Sequence, residues 1–222
     1  MQNKTLKYSA AACFVFLAVR SFVILITSFS DFYWLSGISS GTSVIGGVMA
    51  AVALIYTLPK VSAVGFGVQA LPVLIYCGNN LLAIADVTMK GAAGEFWLWE
   101  YYCYLFISNT FFLLAYVFLM LAGILPKKAR TLGIMSAGST VLNIVSQVVY
   151  AKIVDAEFTM DGLSIANYAA LIAGAVLLGI IYYRYAERAE NEIKVSRLKR
   201  FLDKGILTQE EFDAKKQQLL GM

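Results

Sequence analysis

Leu58-Pro59-Lys60 and Leu125-Pro126-Lys127 are the same three residues met twice, and each copy divides two long apolar runs. Proline fixes its own φ and restricts the residue before it, so each copy ends one helix and opens the next. The lysine behind it makes the corner basic, and basic corners stay on the cytoplasmic side of a membrane. Outward from these corners the chain is a succession of apolar runs joined by short polar turns.

The composition agrees. Of 222 residues, 59% are hydrophobic and 14% charged, with a mean hydropathy of +0.71. A soluble domain is about 45–50% apolar and about 25% charged. The sequence therefore predicts an all-α integral membrane protein: a polytopic six-helix transmembrane bundle with a small cytoplasmic C-terminal helical hairpin. Spans are expected over residues 9–29, 37–58, 61–87, 96–125, 132–152 and 163–183. Residues 1–184 form the membrane domain, and 185–222 a cytoplasmic helix and hairpin. Lys4 and Lys7 before the first span are also a feature of signal peptides. Arg20 interrupts that run, however, and Ser28-Phe29-Ser30 is a poor cleavage site, so the first span is read as retained.

Charge sets the threading. Lys4, Lys7, Lys60, Lys127, Lys128, Arg130, Arg184 and Arg188 fall at one end. Lys90 and Lys152 fall at the other, beside Asp86, Glu95, Asp155, Glu157 and Asp161. The expectation is a multi-pass membrane protein with both termini cytoplasmic and three outward hairpins. The aromatics Phe32-Tyr33-Trp34, Trp97 and Trp99 suit the outer interface, and Gly91-Ala92-Ala93-Gly94 a flexible loop. The net charge of +4 collects at the boundaries and in the tail, so no nucleic-acid partner is expected. The two corners have weakly similar flanks, which a shared demand for a basic, helix-breaking turn explains without duplication. Gly46-x-x-x-Ala50, Gly47-x-x-x-Ala51 and the stripe Ala166, Ala170, Gly174 give smooth faces for close helix packing. Pro72 is expected to kink the third span.

Chemistry is sparse. There is no histidine, which removes the commonest general base and metal ligand. Cys13, Cys77 and Cys103 lie in apolar runs without Cys-x-x-Cys spacing and read as small buried hydrophobes. Hydrolase and metalloprotease motifs are missing. The reading is no enzyme, no catalytic residue, no metal and no cofactor.

Polar groups inside a bilayer are expensive, so each is a candidate site. Arg20 is an anion contact in one reading and a structural or snorkelling charge in the other. Asn79, Asn80, Asn109, Asn143 and Gln147 fall in the middle or outer half of their spans, with Glu100 at the outer edge and Tyr104 nearby. Together they suggest an outward-facing polar cavity for a small molecule. The competing reading is interhelical hydrogen bonding, which uses the same residue types.

Beyond Arg184 the character changes. Ile193, Leu198, Phe201 and Leu202 make a helical apolar stripe, Gly205 suits a helix C-terminal cap, and Thr208-Gln209-Glu210-Glu211 is a capping box. Phe212 and Leu219 supply the apolar face of a second helix. Leu198-Lys199-x-Phe201-Leu202-Asp203-Lys204-Gly205-Ile206-Leu207-Thr208-x-Glu210-Glu211-Phe212-x-x-Lys215-Lys216-x-x-Leu219-Leu220 resembles the SHOCT module, a short bacterial C-terminal domain, over residues 195–220. That resemblance implies a bacterial protein, and with the apolar spans the bacterial cytoplasmic (inner) membrane, and a role in interaction or oligomerisation, with no catalytic residues. Leu198, Phe201, Leu202, Phe212 and Leu219 are then the residues for tail contacts.

Two functions follow. One is a small-molecule binding or transport subunit using the polar cavity. The other is a non-catalytic membrane scaffold or accessory subunit that oligomerises or recruits partners through its tail. The expected partners are membrane lipids, a second copy or another protein at the tail, and in the first case a small-molecule ligand.

Overall fold

The computed structural model describes residues 2–27, 34–89 and 96–220. The Phe32-Tyr33 anchor, the Trp34 side chain, the 28–30 site, Lys90, Glu95 and the 91–94 loop lie outside the described residues. The helices are α1 (Gln2–Thr27), α2 (Trp34–Tyr56), α3 (Pro59–Met89), α4 (Phe96–Ile124), α5 (Ala129–Ile153), α6 (Gly162–Asp203) and α7 (Gln209–Leu220). The first six are long and apolar enough to cross a membrane, which supports a multi-pass membrane protein. The α3 helix continues through the buried Pro72 rather than ending there.

Both Leu-Pro-Lys corners place proline at the first helical position, where its missing N–H is not needed. They are nonetheless built differently. At the first, Thr57 takes a left-handed φ of +58°, and Leu58 N–H donates back to Ala53 O at 2.7 Å. Glycine is the usual occupant of such a cap, and a β-branched residue there is strained. At the second, Leu125 keeps φ −116° and a 3-10 turn, Pro126–Lys128, leads into α5. Equal sequence with unequal geometry argues for a shared turn requirement and against duplication.

The six long helices pack in chain order, and α6 meets α1 to close a ring. Inside, the Phe14 and Phe66 rings meet edge to face at 5.3 Å, surrounded by the fully buried Leu54, Leu119, Leu171 and Leu178. Tyr182 donates to Ser62 Oγ at 2.8 Å, and Ser62 passes a hydrogen bond to Pro59 O at 2.8 Å. This relay ties α6 to the first corner. The outer faces stay apolar, as Val19, Val23, Leu74, Val145 and Val149 illustrate.

Glycine sets the spacing around most of the ring. A Cβ on Gly47 would meet Phe14 O of α1 at 3.0 Å, and one on Gly65 would meet Gly46 O of α2 at 3.0 Å. One on Gly123 would meet Ala63 Cβ of α3 at 2.9 Å, and one on Gly174 would meet the Phe14 ring at 3.1 Å. Between α5 and α6, Cβ atoms on Gly133 and Gly179 would lie 2.5 Å from Ala175 O and 2.6 Å from Ala129 O, as close as one on Gly123 would come to Pro59 O, at 2.4 Å. Small residues let backbones approach where lipid supplies no hydrophobic drive between helices.

The helix expected beyond residue 184 is continuous with the sixth span: α6 runs unbroken for 42 residues. No glycine or proline interrupts it between Gly179 and Gly205, and Lys194 pairs with Glu190 at 3.0 Å one turn back.

Gly179→Val should lower the thermal midpoint of the detergent-solubilised chain by the equivalent of about 1–3 kcal/mol. Gly138→Ala, where nothing lies within 4 Å, should leave it unchanged or raise it by up to about 1 kcal/mol. Equal midpoints for wild type and Gly179→Val would mean the helices do not approach as described.

Candidate functional site

The polar residues singled out in the sequence go to separate places. Asn143 of α5 donates to Ser108 O at 2.7 Å and to Ser108 Oγ at 2.8 Å on α4. Gln147, one turn on, donates to Asn143 Oδ1 at 2.9 Å and to Tyr168 Oη of α6 at 2.7 Å. Tyr168 in turn donates to Asn143 Oδ1 at 3.0 Å. Lower on the same interface, Ser136 donates to Ala115 O at 2.9 Å. These groups satisfy one another across α4, α5 and α6. Asn143 is buried and Gln147 half-buried, so the arrangement is an interhelical network.

Arg20 lies elsewhere. Its Nη1 donates to Asn167 Oδ1 of α6 at 3.2 Å, while its Nε is buried without a hydrogen-bond partner. Asp161 caps α6 by accepting from Ser164 N–H at 2.7 Å. Hydrogen bonding from Ser164 holds its carboxyl below the usual range, and the field of Arg20 adds to this. The described hydrogen-bond partner of Arg20 is thus Asn167, across the interface between α1 and α6. Asn79 is exposed on the outer face of α3, whereas Asn80 is buried with Nδ2 unpartnered. Asn109 is half-buried on α4, and no described hydrogen bond joins it to either group.

The remaining two residues meet in a groove that sequence reading did not find. Glu100 and Tyr104 of α4 line a space of about 510 Å³ with Trp99, Cys103, Leu142 and Tyr150. Tyr104 and Tyr150 stack at 4.2 Å with their planes 8° apart. The groove lies between α4 and α5, opens on the outer face and is apolar apart from its Glu100 end. Its signal was present in helical spacing, because Cys103, Ile107 and Phe111 share a face of α4, as Leu142, Val145 and Val149 share one of α5. Polar residues attract notice in an apolar chain, and an apolar groove has none to offer.

The tail follows from its caps. Gly205, at φ +69°, ends α6, and Ile206 N–H donates to Phe201 O at 2.9 Å. Thr208 N–H donates to Glu211 Oε2 at 2.9 Å and Glu211 N–H to Thr208 Oγ1 at 3.3 Å, a reciprocal capping box. The α7 helix then folds back on α6. Phe212 is buried, Asn191 Nδ2 donates to Leu219 O at 3.0 Å, and Leu198, Leu202 and Leu219 are half-buried. Residues 194–220 match the family model of SHOCT, the short C-terminal domain. Comparison with curated proteins and with solved structures gave no match. Not all of the tail's apolar stripe is used within the hairpin: Ile193, just before the matched segment, and Phe201 and Ile206 within it remain exposed at 55%, 46% and 65%. Where the segment joins the bundle, Lys127 of the second corner pairs with Glu190 of α6 at 2.7 Å.

Asn143→Leu should destabilise the bundle by about 1–2 kcal/mol, because Gln147, Tyr168 and Ser108 lose their common partner. Adding Gln147→Leu should cost less than the sum of the single changes in the same unfolding measurement, and strict additivity would show that the network is not a unit. The capping box should respond to acid. Hydrogen bonds from Thr208 hold the Glu211 carboxyl below its usual 4.5, so its stabilisation is present above that pH and is lost as pH falls through the lowered value. Amide exchange in α7 should accelerate on acidification relative to Glu211→Gln, which should show a flatter profile.

Proposed function

We propose that the chain is a non-catalytic membrane scaffold or accessory subunit. Its helical ring anchors it in the bacterial inner membrane with both termini cytoplasmic, and its SHOCT segment joins it to a second copy or to a partner protein. The observation that carries this reading is α6. One continuous helix supplies Leu171, Leu178 and Tyr182 to the bundle core and then forms half of the SHOCT hairpin. A tail needed only as a loose tether would not require a helical rod fixed at its root by the Lys127–Glu190 pair.

The polar network supports the same reading. Asn143, Gln147 and Tyr168 are engaged with one another, and the groove beside them is largely apolar. A substrate-capturing subunit needs such groups to converge on a ligand, so transport draws less support. The exposed Phe201, Ile193 and Ile206 are the contact residues in this proposal. Exposed apolar side chains grouped on a small helical hairpin mark an interaction surface, and a hairpin of this size buries too little to rest on its own core.

Phe201→Glu/Ile206→Glu in the full chain should abolish cross-links through the tail in native membranes while leaving the thermal midpoint of the bundle unchanged. A cross-linked pair of this chain would identify self-association, and a cross-link to a different protein would identify recruitment. Unaltered cross-links in the double variant would defeat the proposal.

A further inference from the structure

The end of the bundle that holds both corners has a concavity unused by the helix packing and by the SHOCT segment. It measures about 160 Å³ and is lined by Lys4 and Lys7 of α1, Thr57 of the first corner, and Arg184 and Arg188 of α6. No carboxylate is among its described lining residues. This is not the rule at that end. On the other side of α6 a second concavity sets Lys127 and Lys194 against Glu187 and Glu190, and its charges neutralise one another. Gathering cations of one sign raises their mutual repulsion, and an anion removes it.

Thr57 adds a hydrogen-bonding group. Its hydroxyl accepts from Lys7 Nζ, which leaves the hydroxyl proton free to donate to an anion. It does so from the left-handed conformation at φ +58°, where glycine would fit without strain but would bring no hydroxyl. Arg188 has a further interaction within the chain, so Lys4, Lys7 and Arg184 are the groups available to an incoming ligand. Tyr185 closes one side. Exposed apolar residues of α1, Tyr8 and Val15 among them, lead away from the opening along the face that lipid would cover.

We propose that this concavity binds a phosphate-bearing anion, with Lys4, Lys7 and Arg184 supplying charge-assisted donors and Thr57 a neutral one. The phosphate comes from the headgroup of an acidic phospholipid or from a soluble phosphate, and these two sources are separable by experiment. Basic pockets between membrane helices take lipid phosphate in this manner.

The test uses the full chain, stripped of lipid, in a neutral maltoside detergent. Its thermal midpoint is followed against dihexanoyl-phosphatidylglycerol, dihexanoyl-phosphatidylcholine and inorganic phosphate, with chloride at matched ionic strength as the reference. A saturable rise with phosphatidylglycerol alone identifies a lipid headgroup. A rise with inorganic phosphate as well shows that the phosphate group suffices. In either case Lys7→Gln/Arg184→Gln should raise the half-saturating concentration by about tenfold or more, and Lys60→Gln, a basic residue at the same end but outside the pocket, should not. If the double variant fails to fold, Lys4→Gln/Arg184→Gln, which changes two exposed side chains, takes its place. An equal response to phosphatidylcholine, no saturable response to any probe, or an equal loss in Lys60→Gln would each overturn the proposal.

Discussion

Helices in an apolar solvent gain nothing by hiding apolar side chains from it, so short-range packing has to hold them together. That constraint governs this ring. Gly46 with Gly65, Gly47 with Phe14, Gly123 with Pro59, and Gly133 and Gly179 with the facing helix each remove a side chain where two backbones need to meet. Closure by α1 and α6 depends on the same device, because the Phe14 ring occupies the space that a side chain at Gly174 would take. Phe14 then reaches Phe66 across the interior, and one aromatic side chain links three helices.

The interface between α4 and α5 is made differently. No described glycine gives a close approach there. Hydrogen bonds from Ser136 to Ala115 and from Asn143 to Ser108 cross it instead, and the Tyr104–Tyr150 stack closes one end. The outer groove follows the same interface. Directional bonds hold two helices at a chosen spacing, whereas glycines draw them to contact, and a groove needs the former.

Much of the fold was legible because each helix carries its own evidence. Apolar length, a proline at each basic corner and the caps at Gly205 and Thr208 are local, and local signals survive in a single sequence. The SHOCT segment was readable for the same reason, as its turn residues stand at fixed offsets. The sites were less legible because they depend on which helices become neighbours. Asn143 and Gln147 share a face in the sequence, but Tyr168 and Ser108, which complete their network, come from other helices. Asn79 and Asn80 look alike in the chain, yet one is exposed and the other buried. The composition changes after Arg184, from an apolar stretch to a charged one. A helix does not end because its solvent changes, however; it ends where a residue such as Gly205 lets it.

That continuity gives α6 a mechanical character. Its 42 residues measure about 63 Å at about 1.5 Å per residue, roughly twice the thickness of a bilayer's hydrocarbon core. The part beyond the bundle projects past Glu190, where Lys127 of the second corner pairs with it. A rod has no slack, so a change in the tilt of the last span reappears as a larger displacement at the far tip. A tilt of about 10° over a projecting arm of about 20 Å would move that tip by about 3.5 Å. Where bilayer thickness alters the tilt of a long span, the tip of this continuous helix would move further than its root.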